Sequence, residues 1–466
     1  MTAQIAAQLS EHLLRRERQE DLCFALWSPS SGHARSSALL TSVILPNPGE
    51  RSLHGNASFE ATYFERAVGL AMHSGQGLAF LHSHVGPGWQ GMSSDDIIAE
   101  RDRLAAATLS MTELPLVGLT LGTDESWSAR FWSREGEKRY ERRWCENVRV
   151  VGDALRVTHC EELRPSPAFR EMFSRTVTVW GPERHRDLAR LRVGIVGLGS
   201  VGSVVAESLA RMGMQSLSLI DFDVVKPHNL DRLMFASPDD VGRLKVEVAR
   251  ERLDLVATSE ELRTHCVPHS VVEPEGYAAA LDCDVLFSCV DRPRARHVLN
   301  HFAYAHLIPV IDGGIAVRMR NGTFAGVDWQ VQTVGPGRPC LECLGAYDAN
   351  DVSVESSGML DDPSYLKGLP TDHRFKRNEN VFPFSCNLAS LEIMQFVALC
   401  TSIAKMPRIG IQRYRYIPGI VEVTDDVLCK NSCEIEQLIA SGDRHFTLAG
   451  RDTTAERLRA ETRIQG

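Results

Sequence analysis

This 466-residue sequence has no unbroken apolar run of the length a bilayer-spanning helix requires, about 20 residues, which argues against membrane insertion. Its first residues, MTAQIAAQLSEHLLRRERQEDL, carry charge where a secretory peptide needs an apolar core, so they read as an ordinary helix. Positive charge is not in excess: a formal net charge of −9 leaves no electrostatic footprint for nucleic acid. Internal repeats and low-complexity segments are missing too, which leaves two or three ordinary domains with buried cores. Without a secretory signal, the twelve cysteines read as reduced thiols, metal ligands or a nucleophile rather than disulfides, and the expected compartment is cytoplasmic.

What is present is concentrated in RVGIVGLGSVGSVVAESLARMGMQSLSLIDFDVVKPHNLDR, residues 192–232. An apolar strand turns through Gly197, Gly199 and Gly202 into an apolar-periodic helix, and a second strand ends on Asp221 and Asp223. This pattern predicts a β-α-β nucleotide-binding unit, in which small residues let the backbone approach a phosphate and the helix N-terminus offers oriented N–H groups. Glycines alone fit an NAD-dependent oxidoreductase equally well. Hydride transfer, however, needs no cationic and amide cluster on a terminal phosphate. Attack on the α-phosphate of ATP does, together with a magnesium ligand.

The ordered runs NLDR, GRLK and LFSCVDRPRAR resemble those of ThiF-type adenylyltransferases that activate ubiquitin-like proteins, over roughly residues 170–435. That family includes the thiamine and molybdopterin sulfur-carrier enzymes and the ubiquitin-activating enzymes. The resemblance implies that Asp223, beside Asp221, binds the ribose hydroxyls of ATP, that Asn229, Arg232 and Lys245 bind its phosphates, and that Asp291 coordinates magnesium. It also implies that Arg175, in FSRTVTVWG, reaches the ATP site of a second subunit, hence a homodimer. The alternative is that these are surface charges beside a cofactor fold with another reaction.

ELRPSPAFREMFSR, with two prolines and little periodicity, marks a boundary near residue 165. The predicted organisation is therefore 1–165, 166–440 and a short solvated tail, 441–466. The second part is expected to be α/β, Rossmann-like with a mostly parallel sheet. The first mixes an N-terminal helix, short strands (LCFALW, ALLTSVIL, LPLVGLTLG, SARFWS) and the helical run SFEATYFERAVGLAMHSG, an α+β pattern.

Within it, GLAFLHSHVGPGWQGMSSDD places His82 and His84 two apart at a strand end, so both imidazoles point one way and reach one ion; Asp96 offers a third ligand. The run resembles the JAMM motif of MPN-type zinc isopeptidases. The resemblance implies that Ser93 stabilises the oxyanion and that a glutamate near the start deprotonates the zinc-bound water. Glu20 is the candidate, with Asp21 its rival. Val85 replaces the motif's proline, and one extra residue precedes Ser93, both within a Gly-rich loop. The alternative is a degenerate MPN scaffold kept for protein binding.

Cys340 and Cys343 in PCLEC form a CxxC pair, and Cys429 and Cys433 a CxxxC pair. Sulfur-carrier adenylyltransferases often hold a structural zinc with two CxxC pairs, and a loop one residue longer still chelates. The alternative is unliganded thiols. Cys386, where a polar crossover segment (346–380) gives way to an apolar helix, is expected to have its pKa lowered by the helix N-terminus. Ubiquitin-activating enzymes use a crossover cysteine for a thioester; a small packed residue is the other reading.

The composite expectation is a bifunctional enzyme requiring ATP, Mg2+ and Zn2+. It adenylates the C-terminal glycine of a ubiquitin-like or sulfur-carrier protein, and it cleaves peptide or isopeptide bonds after such a glycine. Such fusions resemble components of prokaryotic conjugation systems, some associated with anti-phage defence, with a conjugating enzyme as a further partner.

Overall fold

The computed structural model describes residues 1–15, 19–54, 56–137, 139–320, 323–361, 367, 380–402, 409–445 and 447–465. The chain divides into two compact units: Met1–Ser30 with Ser36–Ser166 and Ile439–His445, and Ser31–Arg35 with Pro167–Leu438 and Phe446–Gly466.

In the first unit, the Thr2 hydroxyl accepts the Ile5 N–H and starts a helix, Ala3–Leu13. Ten strands follow: β1 (Leu22–Ser31), β2 (Ser36–Ile44), β3 (Arg51–His54), β4 (Asn56–Phe59), β5 (Gly77–Ser83), β6 (Leu116–Leu121), β7 (Trp127–Gly136), β8 (Arg139–Trp144), β9 (Asn147–Val151) and β10 (Leu155–His159). Six of them form a sheet in the order β2-β1-β5-β6-β7-β8, while β3–β4 and β9–β10 pair separately. β5 and β6 are parallel, whereas β1–β5, β6–β7 and β7–β8 are antiparallel. Every residue of β5 is buried, because both faces of the sheet are covered. Ala79 and Leu81 pack with Leu9, Leu13 and Trp127; Leu78 and Phe80 pack with Tyr63, Val68 and Leu104. Alternation along the strand puts His82 on the same side as Leu78 and Phe80, where the helices Ala61–Ser74 and Ala105–Thr112 pack.

The second unit is built on an eight-stranded sheet. Its strands are β11 (Arg192–Val196), β12 (Ser216–Ile220), β13 (Arg263–Val267), β14 (Val285–Ser288), β15 (Val310–Arg320), β16 (Thr323–Val334), β17 (Ile411–Arg415) and β18 (Ile420–Thr424). The order β13-β12-β11-β14-β15-β16-β17-β18 is parallel from β13 to β15 and antiparallel from β15 to β18. The expected mostly parallel sheet is thus a mixed one: β15 and β16 are long enough to pair back on themselves without a crossover. β11 lies between β12 and β14, so the loop leaving it sits at the switch point where chain order reverses, the usual ligand crevice of an open α/β sheet.

Two expectations change here. The helix Phe382–Thr401 is long and apolar enough to cross a membrane by length and composition alone. In the fold it packs on β15, β16 and the helix Ser200–Arg211, and it buries Glu392 and Gln395 in hydrogen bonds, the setting of a core helix. The tail expected to be solvated is docked: Ala455 on the helix Thr453–Gln465 is fully buried, and Arg459 pairs with Glu273.

Candidate functional site

After β11 the chain turns through Gly197, whose φ of +91° is a region side chains avoid. A Cβ there would lie 2.5 Å from the Cys289 carbonyl oxygen, and one at Gly202 would run into the Gly197 carbonyl. At Gly199 a Cβ would meet nothing within 4 Å, and this residue caps the helix Ser200–Arg211 without a side-chain hydrogen bond. The first N–H groups of that helix are therefore left for a ligand.

Asp221, expected to touch the nucleotide, is spent otherwise. Its buried carboxylate accepts the Leu198 N–H at 2.6 Å and the Asp223 N–H at 2.7 Å, so it braces the glycine loop. Asp223 is the outer carboxylate and accepts from Lys245 Nζ at 2.9 Å. Burial opposes ionisation of both acids; beside Asp223 the Lys245 ammonium wins and holds it below the ordinary range, whereas Asp221 is pushed up. Lys245 itself loses stability of its charge to burial, yet Asp221, Asp223 and Asp291 more than restore it, and its pKa rises. Asp291 is exposed three residues beyond the end of β14, and its charge reaches Lys245. The Asn229 amide oxygen accepts the Lys226 N–H in a short turn, leaving its NH2 as the available donor. Arg232 is folded onto that turn, donating to the His228 carbonyl and to Asp231. Arg175 is exposed on the short helix Ser174–Trp180.

Beneath this loop lies a buried polar cluster that the sequence reading passed over. Asp312 accepts from Ser288 at 2.5 Å, Arg296 at 3.0 Å and Gln332 at 2.7 Å. The Cys289 thiol donates to Glu392, whose carboxyl is pushed well up, first by burial and then by Asp312. Asn380 donates to the Ser200 hydroxyl at 2.7 Å and ties the entry of the helix Phe382–Thr401 to the glycine loop. Two signals were in the chain: Arg296 ends the run CVDRPRAR, and Glu392 is a lone charge in an apolar helix.

Cys386 departs from expectation. It is the fifth residue of its helix, past the first turn of free N–H groups, and burial raises its thiol pKa rather than the dipole lowering it. The four cysteines of the two predicted pairs converge. The sulfurs of Cys340, Cys343, Cys429 and Cys433 all lie within 4.8 Å of one another. The N–H of Cys340 donates to Cys429, that of Cys343 to Cys340 and that of Lys430 to Cys343. Backbone donors on three of the sulfurs and a four-sulfur set fit a closed zinc site with the longer CxxxC loop.

In the first unit, His82 Nε2 and His84 Nε2 lie 3.2 Å apart. Asp96 stands 3.3 Å from the first and 3.2 Å from the second. Two imidazole nitrogens and a carboxylate converging on one point fit a three-ligand metal site with an open position. Ser93 caps the helix Ser94–Ile97: its hydroxyl accepts the Asp96 N–H, and its own N–H donates to the Asp96 carboxylate, which aims that ligand. The extra residue before it is absorbed where Asp124 accepts the Gly88 N–H and where Gln90 donates to three loop carbonyls. Asp21, itself fully buried, is consumed by Arg15, Arg51 and His12. Glu20 is only half-buried, and its charge is felt at His84, so of the two carboxylates it is the one that bears on the histidines.

Residues 173–397 match the model of the ThiF family. Molybdopterin-synthase adenylyltransferase of Escherichia coli (strain K12) is 32% identical over 178 residues, 36% of this chain and 65% of that protein. Ubiquitin-like modifier-activating enzyme 5 of Drosophila simulans is 31% identical over 209 residues, 42% of this chain and 49% of that one. The chain thus spans half to just under two thirds of these relatives' length. Among solved structures, E. coli MccB with ATP is 17% identical, covering 57% of this chain and 74% of that one with a TM-score of 0.44. The glycine loop, the Asp223–Lys245 pair and Asp291 all fall inside the segment that matches the ThiF family model.

Proposed function

We propose that the second unit adenylates the C-terminal glycine of a ubiquitin-like or sulfur-carrier protein. The observation that carries this reading is the buried Lys245, paired with Asp223, beside a helix N-terminus that no described side chain caps. Asp223 would take the ribose hydroxyls. The helix N–H groups, Lys245, the Asn229 NH2 and Arg232, once released from its turn, would take the phosphates. ATP with Mg2+, which Asp291 would hold, supplies the electrophilic phosphorus. The substrate carboxylate forms the new O–P bond, the α–β bridge breaks and pyrophosphate leaves. Arg175 would complete the site of a second copy in a homodimer. The test is carrier-dependent ATP–pyrophosphate exchange: Asp291→Ala should abolish it while the fold survives, and exchange at the wild-type rate sinks the assignment.

The four-cysteine cluster would hold a structural zinc. In the first unit, His82, His84 and Asp96 would hold a catalytic one, which lowers the pKa of bound water to about 7. Glu20 would accept that water's proton and later deliver it to the leaving amine, and the Ser93 hydroxyl would donate to the oxyanion. The convergence of three ligands, with the charge of Glu20 felt at His84, favours this peptidase reading over a pure binding module. Glu20→Gln should keep the zinc and stop cleavage of a carrier extended past its glycine; His82→Ala should lose both. Wild-type protein with no metal there and no cleavage leaves the binding module.

A further inference from the structure

The glycine loop reads Gly197, Leu198, Gly199, Ser200, Val201, Gly202, so a serine is the first residue of the helix Ser200–Arg211. The other two serines of this helix return their hydroxyl protons to carbonyls one turn back. Ser203 donates to the Ser200 carbonyl at 3.2 Å, and Ser208 to that of Val204 at 2.7 Å. Ser200 has no helical turn behind it. Among the described residues, the bond its hydroxyl makes is one it accepts: Asn380 Nδ2 donates to it at 2.7 Å.

Asn380 is held at its other end as well. Its carbonyl oxygen accepts the hydroxyl of Ser385 at 3.0 Å, and Ser385 is fully buried on the helix Phe382–Thr401. The bonds therefore run one way, from Ser385 to Asn380 and from Asn380 to Ser200. An amide NH2 can only donate, whereas a hydroxyl has one proton and two acceptor positions. Asn380 fills an acceptor position, so the Ser200 proton is left to point away from it, and each bond of such a chain polarises the next. Ser200 is half-buried, and beside it a Cβ on Gly199 would meet nothing within 4 Å. A phosphate suits this setting: the uncapped N–H groups of the helix attract an anion, and the hydroxyl adds a side-chain donor next to them.

We propose that Ser200 binds a phosphate of the nucleotide through its hydroxyl proton, and that Asn380 is the positioning residue that aims it. The proposal rests on the adenylation reading of the second unit. The experiment titrates full-length protein with ATP-magnesium and with adenosine, by calorimetry, in wild type, Ser200→Ala, Asn380→Ala and the double variant. Ser200→Ala should bind ATP about 10–100-fold more weakly, the cost of one bond to a charged group, and adenosine as the wild type does. Asn380→Ala should weaken ATP by about threefold in the wild type and not at all in Ser200→Ala, because an aimed hydroxyl is the only thing it supplies to the ligand. A bond that merely fastens the helix Phe382–Thr401 would instead act equally in both backgrounds. ATP affinity within twofold of wild type in Ser200→Ala, or an equal loss for adenosine, overturns the phosphate contact. Additive losses overturn the role of Asn380. Wild-type protein that binds no ATP-magnesium overturns the adenylation reading itself, which separates that failure from the others.

Discussion

Replacing Gly197 by alanine tests the phosphate loop most directly. At φ +91° an L side chain is strained, which costs on the order of 1–3 kcal/mol. The new Cβ would also sit 2.5 Å from the Cys289 carbonyl oxygen, whereas ordinary contact begins near 3.4 Å, so β11 and β14 must part by close to 1 Å at the loop. Crowding of this kind adds about 1–3 kcal/mol. The loop amides braced by Asp221 would move by the same distance, beyond hydrogen-bonding reach of a phosphate. Two lost charge-assisted bonds at about 1.5 kcal/mol each correspond to roughly 100-fold weaker ATP binding. Gly199→Ala is the control: with nothing within 4 Å of its Cβ, the fold should be unaffected, and any loss of ATP affinity there reports the phosphate itself. Isothermal titration with ATP-magnesium and urea denaturation read both quantities. The reasoning fails if Gly197→Ala binds ATP and unfolds as the wild type does, or if Gly199→Ala is the less stable of the two.

Cys386→Ala should leave pyrophosphate exchange within about twofold, because a thiol whose pKa is raised by burial is not primed to attack; a reductant-sensitive carrier adduct lost in this variant would refute that. Cys340→Ser should remove one zinc per chain, measured by atomic absorption, and lower the thermal midpoint of the second unit; unchanged zinc content would show the cluster to be metal-free thiols. His306, held at about 3 by burial and then by His301, refuses a proton that the unfolded chain accepts below its ordinary value of 6.5. Stability should therefore fall as pH drops from about 6.5 toward 3, by about 1.4 kcal/mol per pH unit from this group, and His306→Gln should flatten urea midpoints measured at pH 7.5 and 5.5.

Much was legible because it is local. Glycine spacing needs only the steric demand of one turn, and it located the loop after β11. The i, i+2 histidines needed only strand alternation. The boundary placed near residue 165 rested on two prolines; the two units also exchange Ser31–Arg35 and Ile439–His445, which no local signal marked. The readings that changed concern how a side chain's bonding capacity is shared among distant segments. Asp221 and Asp223 look equivalent in the sequence, but loop amides claim the first and leave the second to Lys245. Cys386 sits near a helix start in sequence, yet one turn of depth and its burial reverse the sign of its expected pKa shift.

The sequence by itself determined the β-α-β nucleotide unit, the three candidate ligands of the first unit and the four cysteines of the second, since each follows from short-range periodicity and residue chemistry. Only the tertiary structure decided how the acids are partnered. It set Glu20 apart from Asp21, turned the parallel sheet antiparallel beyond β15, and joined Ser200, at the glycine loop, to Asn380, 180 residues further along the chain. Charge pairing and desolvation depend on distance in space, and a linear chain carries no record of that distance until it folds.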